Sequence, residues 1–231
     1  MIIYGKNACK ESIINKHEVN LIYLDEKCAD KELVNFVKNS KIPFNLVSKA
    51  ELNNLSNIGS HQGICMDVKD YKTYELDEVL VPNKNLRFIL LDEVTDPHNL
   101  GSIIRTSEAS GIDAIILTRK NSCPITPAVV KVSTGSIERV KLVYSSNIVS
   151  TIKKLKEYGC LIIGSTMDSK ISYKTIDKDR SLVLCMGSEG DGLRHIIKMN
   201  CDLIVSIPMK GKINSLNVGV AAGILVYEIM Y

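Results

Sequence analysis

The chain has 231 residues, of which 45% are hydrophobic and 24% are charged, and its formal net charge is +3 at pH 7. This composition excludes a disordered or fibrous chain and allows either one large domain or two modest ones. A net charge this small permits nucleic-acid binding through a local patch but does not argue for it.

The first 72 residues are predicted to form a small α/β domain, because short helical and strand-like patterns alternate there. Helices are predicted over residues 6–16, 30–40 and 50–56, and strands over residues 19–24, 44–47 and 63–68. The interval 73–86 follows, and its acidic residues, proline and asparagines are typical of a linker. A surface loop within a single domain is the alternative for this interval.

Residues 87–231 are predicted to form a larger domain built on a mostly parallel sheet. Helical stretches separate six apolar runs, which are RFILLDEV, DAIILT, VKLVYS, CLIIGST, SLVLCMG and LIVSIPM. Continuous runs of Ile, Leu and Val without strict alternation are typical of strands that helices cover on both faces. Ligands of such sheets bind beyond the carboxyl ends of the strands. Three polar segments lie at such ends.

The first polar segment is DPHNLGSIIRTSEASG, residues 96–111. The Asp-Pro pair indicates a turn, and Asn99 is predicted to cap the helix that follows. Asn99, Ser102 and Arg105 are spaced to share one face near the start of this helix. An arginine at that place suits a phosphate or a hydroxyl, although an ordinary capped helix with a solvated arginine fits the same spacing.

The second polar segment, MGSEGDGL at residues 186–193, has three glycines directly after an apolar strand. Glycines let the main chain approach a ligand closely and leave its amides free to donate. Glu189 lies between them and would repel a phosphate. The loop therefore suits a ligand with a cation, an amine or ribose hydroxyls better than a pyrophosphate. A tight strand-to-helix turn with one solvated glutamate is the alternative.

The third polar segment, IPMKGKINSLNV at residues 207–218, leads into the last predicted helix. Asn214, Ser215 and Asn217 crowd the start of that helix. One cap needs one such residue, so the surplus indicates a ligand. Small residues at 219 and 221–223 predict close packing of this helix, either within the fold or across a dimer.

The remaining features of the sequence indicate a cytoplasmic protein. The seven cysteines include no C-x-x-C pair and lie mostly in apolar runs, so reduced, buried thiols are expected. The first twelve residues lack the apolar core of a signal peptide, and the longest apolar run, residues 216–230, is too short to span a membrane. The four histidines are scattered, and no metal site is expected.

Together and in this order, the three polar segments resemble the motifs of the SpoU-type RNA ribose 2′-O-methyltransferases of the SPOUT superfamily. IYGKNACKESI at residues 3–13 and HQGICMDV at residues 61–68 are similar to the ends of the small substrate-binding domain in the branch that modifies large-subunit ribosomal RNA. The resemblance covers nearly the whole chain. It implies a deep trefoil knot in the C-terminal third of the larger domain, S-adenosylmethionine as the cofactor, and a homodimer.

The resemblance also implies roles for individual residues. Arg105 corresponds to the catalytic arginine of the family. The residues that correspond to its supporting polar residues are Asn99, Glu189, Ser215 and Asn217. The positions that match the cofactor-binding ones are Gly187, Gly192, Ile207, Met209 and Leu216. Gly219 stands where the family usually has a serine, and Ile213-Asn214 also differ from the small or acidic residues common there.

The implied reaction is methyl transfer to a ribose 2′-hydroxyl, with a guanosine of 23S ribosomal RNA as the target. Arg105 is expected to hold the hydroxyl or the adjacent phosphate, because a guanidinium with a pKa above about 12 is a poor base. RNA contact is expected at basic patches such as Arg119-Lys120 and Lys210/Lys212.

Three other functions are alternatives to this one. A transfer-RNA ribose methyltransferase would carry the same motifs, and a non-catalytic RNA-binding protein could keep the fold. A nicotinamide-dependent oxidoreductase is disfavoured, because no G-x-G-x-x-G follows the strand that begins at residue 87.

Overall fold

The computed structural model describes residues 1–57 and 59–231, in which strands and helices alternate. The strands are β1 (Ile2–Tyr4), β2 (Val19–Asp25), β3 (Phe44–Val47), β4 (Ile64–Val68), β5 (Arg87–Leu91), β6 (Ala114–Thr118), β7 (Leu142–Ser145), β8 (Leu161–Ser165), β9 (Leu182–Met186) and β10 (Leu203–Val205). The helices are α1 (Lys6–Ile14), α2 (Lys31–Asn39), α3 (Lys49–Ser56), α4 (Leu76–Val79), α5 (Pro97–Ser110), α6 (Pro127–Ser133), α7 (Ile148–Glu157), α8 (His195–Lys198) and α9 (Val218–Met230), with 3₁₀ helices at Ser136–Glu138 and Tyr173–Thr175.

The chain divides by its contacts into two compact units. Unit 1 consists of residues 1–71 and 125–139, and unit 2 of residues 72–124 and 140–231. Unit 1 contains a four-stranded sheet in the order β1-β4-β2-β3, in which β4 is antiparallel to both neighbours and β2 is parallel to β3. One cluster of its core comprises Tyr4, Val47, Leu52 and Cys65. The predicted α/β character of the N-terminal region is confirmed.

Residues 125–139 lie between β6 and β7 in the sequence but pack within unit 1. Helix α6 contacts α1 and β1. Ser12 Oγ donates to Glu138 Oε1 at 2.5 Å, and the second carboxylate oxygen of Glu138 lies 3.1 Å from His17 Nδ1. The sequence pattern places this segment in the 87–231 domain, because the alternation of strands and helices continues through it.

Unit 2 is built on a six-stranded, all-parallel sheet in the order β10-β8-β9-β5-β6-β7. Phe88 of β5 packs in one cluster with Ile152 of α7 and Ile197 of α8. The alternate residues Ile89 and Leu91 are also fully buried, so both faces of β5 are covered. On this unit, α5 packs against α9. The predicted parallel α/β fold is confirmed, and its trefoil knot stays a prediction.

The interval 73–86, whose composition predicts a linker, packs within unit 2. Helix α4 lies in this interval, and Val79 is 1% exposed in the cluster that contains Phe88. The Tyr74 amide donates to the carbonyl of Leu142, at the start of β7, at 2.8 Å. The acids and asparagines of the interval lie around a few apolar residues that bury against the sheet, and composition alone does not reveal that burial.

The cysteines are mostly buried, as the apolar runs around them predict. The five buried ones are Cys9, Cys65, Cys123, Cys160 and Cys185. Burial raises the pKa of the Cys65 and Cys160 thiols to about 11. These two thiols are therefore neutral near pH 7 and poor nucleophiles.

Candidate functional site

The first polar segment contributes to the site with residues at the start of α5. The side chain of Asp96 accepts a hydrogen bond from the His98 amide at 2.9 Å, and Pro97 is the first helical residue. The predicted cap at Asn99 is therefore wrong, because the Asp-Pro pair starts the helix earlier. Asn99 lies within the first turn and is 6% exposed, and its side-chain amide is free to contact other segments.

The three polar segments meet at the carboxylate of Glu189. Asn99 Nδ2 donates to Glu189 Oε1, and Asn217 Nδ2 donates to the same oxygen at 3.0 Å and to Asn99 Oδ1 at 2.9 Å. Asn217 Oδ1 caps α9 by accepting from the amides of Gly219 and Val220 at 2.9 and 3.3 Å. Because the oxygen of Asn217 is used by the cap, its amide nitrogen must face Glu189.

The glycine loop after β9, residues 187–193, is folded tightly on itself. The Gly192 amide donates to the Ser188 carbonyl at 3.1 Å. A Cβ added to Gly187 would lie 2.0 Å from the carbonyl carbon of Gly192, and Gly192 has a φ of +64°. Gly190 has open space around it. The geometry of the loop thus requires glycine at 187 and favours it at 192, but not at 190.

The glycine loop forms one wall of a cavity of about 350 Å³ in unit 2. The cavity lies beyond the carboxyl ends of β8, β9 and β10, where ligands of parallel sheets bind. Its wall includes all the residues that match cofactor-binding positions, namely Gly187, Gly192, Ile207, Met209 and Leu216. Ser215 also lines it. Their roles stay predictions, but the fold brings them to one place.

The sequence interpretation missed two parts of this wall. Residues 165–168, which comprise the last residue of β8 and the three that follow it, line the cavity, and so does Lys198 of α8. The apolar run CLIIGST already predicts a strand that ends there, so the rule that ligands lie beyond strand ends could have found Asp168. Lys198 gives no such signal, because it lies on a different element from the predicted motifs.

A second cavity, of about 380 Å³, shares residues 188, 189, 191 and 218 with the first. Asn99 lines it, together with the carboxylates Glu93, Asp96, Glu189 and Asp191. These acids disfavour a phosphate inside this cavity and favour groups that donate hydrogen bonds. Glu189 thus stands on the wall between two cavities of different character.

The basic residues singled out from the sequence lie on the surface. Arg105 is exposed on α5, and within the described residues its side chain makes no hydrogen bond or ion pair. Arg119, Lys120, Lys210 and Lys212 are exposed as well. The structure therefore gathers Asn99, Glu189 and Asn217 into direct contact, but not Arg105.

Two other kinds of site are absent from the described part of the chain. No helix there is long and apolar enough to cross a membrane. No group of three His, Cys, Asp or Glu side chains among those residues could hold a metal ion.

Two family models match the chain, one for each of its regions. Residues 87–227 match the SpoU rRNA Methylase family, and residues 2–74 match the RNA 2′-O ribose methyltransferase substrate binding family. A relative from Staphylococcus haemolyticus, named for the TrmH family of tRNA/rRNA methyltransferases, is 35% identical over 236 residues. The match covers 99% of this chain and 94% of the relative.

Solved structures show the same fold. The SpoU methyltransferase AviRb from Streptomyces viridochromogenes, in complex with AdoMet, has a TM-score of 0.83 at 22% identity and covers 100% of this chain and 89% of its own. An AdoMet-bound rRNA methyltransferase from Sinorhizobium meliloti has a TM-score of 0.79 at 20% identity over 99% of this chain and 85% of its own. The A. aeolicus TrmH/SpoU tRNA modifying enzyme has a TM-score of 0.58 at 28% identity over 66% of this chain and 78% of its own.

The closed glycine loop can be tested by comparing two alanine substitutions. Gly187→Ala places a Cβ on main-chain atoms that no side-chain rotation can move, whereas Gly190→Ala adds a Cβ in open space. We expect Gly187→Ala to lower the free energy of unfolding by about 3 kcal/mol and Gly190→Ala by less than about 1 kcal/mol. Urea titrations followed by circular dichroism measure both. Equal stabilities of the two variants would contradict the loop geometry.

Proposed function

The chain belongs to the SpoU rRNA methylase family of RNA 2′-O-methyltransferases, and we propose that its substrate is a guanosine of 23S ribosomal RNA. The observation that carries the choice of RNA is the substrate-binding region at residues 2–74. The S. meliloti rRNA methyltransferase matches 99% of this chain, whereas the A. aeolicus tRNA enzyme matches 66%. The guanosine follows from the branch whose N-terminal segments the sequence resembles.

The cavity of about 350 Å³ fits S-adenosylmethionine, the methyl donor of this family. Its apolar lining, which includes Met186 and Leu193, suits an adenine ring, and the main chain of the glycine loop is exposed to it. Asp168 and Lys198 offer opposite charges to the ammonium and carboxylate of the donor's amino-acid group. When bound, S-adenosylmethionine would supply a sulfonium methyl group for the ribose 2′-oxygen, with S-adenosylhomocysteine as the leaving group.

The residues of the chain then act mainly by positioning the two reactants. Asn99 and Asn217 fix the carboxylate of Glu189 on the wall between the two cavities. We assign the second cavity to the acceptor nucleoside, because it shares this wall with the donor cavity. Its acidic lining keeps phosphates outside and accepts hydrogen bonds from the ribose and the base.

Arg105 is proposed to bind the RNA at the acceptor ribose. Its guanidinium is exposed, and it offers two parallel donors to a phosphate or to the developing oxyanion. A guanidinium does not take the proton of the hydroxyl, because its pKa is above about 12. Phosphate or water takes that proton, and Arg105 stabilises the charge that develops on the oxygen.

We also propose that the protein forms a homodimer and acts in the cytoplasm. Its basic patches are proposed to contact the RNA. One side of α9 exposes the large side chains Val220, Tyr227 and Tyr231, which are 54%, 48% and 79% exposed. An apolar surface of this kind suits a second copy of the chain. Arg119-Lys120 and Lys210/Lys212 are exposed and can contact the RNA backbone.

Transfer of labelled methyl groups tests the proposed substrate. The protein is incubated with labelled S-adenosylmethionine and with unmodified ribosomal or transfer RNA, and the modified nucleotide is then mapped. We expect a single 2′-O-methylguanosine in 23S ribosomal RNA. Label in transfer RNA alone would replace the proposed substrate with the alternative one, label in a base would overturn the ribose assignment, and absence of label from every RNA would favour a non-catalytic RNA-binding protein.

Substitution of Arg105 tests its role at the acceptor. Arg105→Lys keeps the positive charge but loses the paired donors, so we expect kcat to fall about 100-fold. Arg180→Lys is the matched control, because Arg180 is exposed and donates to the Gly159 carbonyl at 3.1 Å, outside both cavities. Near-normal turnover of Arg105→Lys in single-turnover assays would contradict the bidentate role.

A further inference from the structure

A fully buried carboxylate lies at the carboxyl end of β5, directly beside the site. Asp92 is 0% exposed, and its main-chain amide donates to the carbonyl of Met186, the last residue of β9, at 2.8 Å. The carboxylate accepts two hydrogen bonds from Arg194, one at Oδ2 from the main-chain amide at 3.1 Å and one at Oδ1 from Nε at 2.8 Å. Arg194 Nη2 forms an ion pair with the same Oδ1 at 2.6 Å. None of the predicted motif roles includes this pair.

The same guanidinium reaches a second acid. Arg194 Nη1 lies 3.3 Å from Glu93 Oε1, and that oxygen also accepts from Asn121 Nδ2 at 3.1 Å. Glu93 has a φ of +58°, a left-handed backbone that costs a residue with a side chain about 1–3 kcal/mol. Arg194 therefore holds two consecutive residues, one buried and one on the wall of the acceptor cavity.

Arg194 and Asp92 each lie next to a segment that lines one of the two cavities. Arg194 follows Leu193, the last residue of the glycine loop, and Leu193 lines the donor cavity. Asp92 precedes the segment 93–96, which lines the acceptor cavity and leads to Asn99 in α5. This ion pair thus connects two segments. Arg194 directly follows the glycine loop that contains Glu189, and Asp92 precedes the segment that leads to Asn99, whose side chain donates to Glu189.

Stability alone is a poor explanation for this ion pair, in which the carboxylate is fully buried and the side chain of Arg194 is 39% exposed. Removal of the Asp92 charge from water costs about as much as its attraction to Arg194 returns, and well-packed apolar residues often replace buried charges without loss. What the pair provides is geometry, because two guanidinium nitrogens at Oδ1 and the main-chain amide at Oδ2 together hold both oxygens of the Asp92 carboxylate. The hydrogen bond to Asp92 also raises the pKa of Arg194, which keeps its guanidinium charged.

We propose that Arg194 is a positioning residue, which fixes the glycine loop to the end of β5 and so holds Glu189 against Asn99 and Asn217. The inference rests on the proposed methyl transfer. Arg194 touches neither the donor nor the RNA in this proposal. Its effect on the reaction passes through Glu189.

A double-mutant cycle separates this role from general support of the fold. Arg194→Lys keeps a cation beside Asp92 but cannot place two side-chain nitrogens at Oδ1, so we expect kcat to fall at least about tenfold in the otherwise native protein. In the Glu189→Gln background, where the positioned carboxylate is gone, the same change should alter kcat by less than about twofold. Arg180→Lys is the control in both backgrounds and should change neither value.

The outcomes are distinguishable. Equal losses in the two backgrounds would make Arg194 merely structural and overturn the inference. Asp92→Asn, which keeps the shape of its side chain, provides a second route to the same cycle if Arg194→Lys does not fold. If the native protein transfers no methyl group to any RNA, both the proposed function and the positioning role of Arg194 are wrong. If the native protein is active and the cycle is additive, only the inference fails.

Discussion

The carboxylate of Glu189 is the one acceptor on which the candidate site depends. It accepts from Asn99, 90 residues earlier in the chain, and from Asn217, 28 residues later. Hydrogen bonds to an ionised acceptor are stronger than neutral ones, and here both donors are amides with fixed orientations. Hydrogen bonds to this carboxylate thereby connect three segments that are remote in sequence.

The sheet makes this meeting possible. In unit 2, β5 and β9 are neighbours and parallel, so the segments that follow them leave from the same edge. The chain places β6 and β7 on one side of β5, and β9, β8 and β10 on the other. Such a change of direction leaves a crevice beyond the strand ends. The cavities of about 350 and 380 Å³ lie at that edge, with the closed glycine loop between them.

The sequence predicts those parts of the structure that local physics decides. The parallel strands follow from continuous apolar runs, and the position of the cavity follows from polar residues at strand ends. Non-local features are harder to predict. The predicted cap at Asn99 is wrong because Asp96, three residues earlier and followed by a proline, caps the helix instead. Residues 125–139 pack in unit 1, where Ser12 and His17 contact the side chain of Glu138. The hydrogen bond between Asp92 and Arg194 joins residues that are 102 positions apart in the sequence. No periodicity within one segment encodes such contacts.

We infer that the second and third polar segments, together with residues 165–168, form a methyl-donor pocket, and calorimetric titration of the native protein tests this most directly. The account predicts that S-adenosylmethionine binds at one site per chain, that S-adenosylhomocysteine competes for that site, and that NAD does not bind. Tight binding of NAD without binding of S-adenosylmethionine would contradict it.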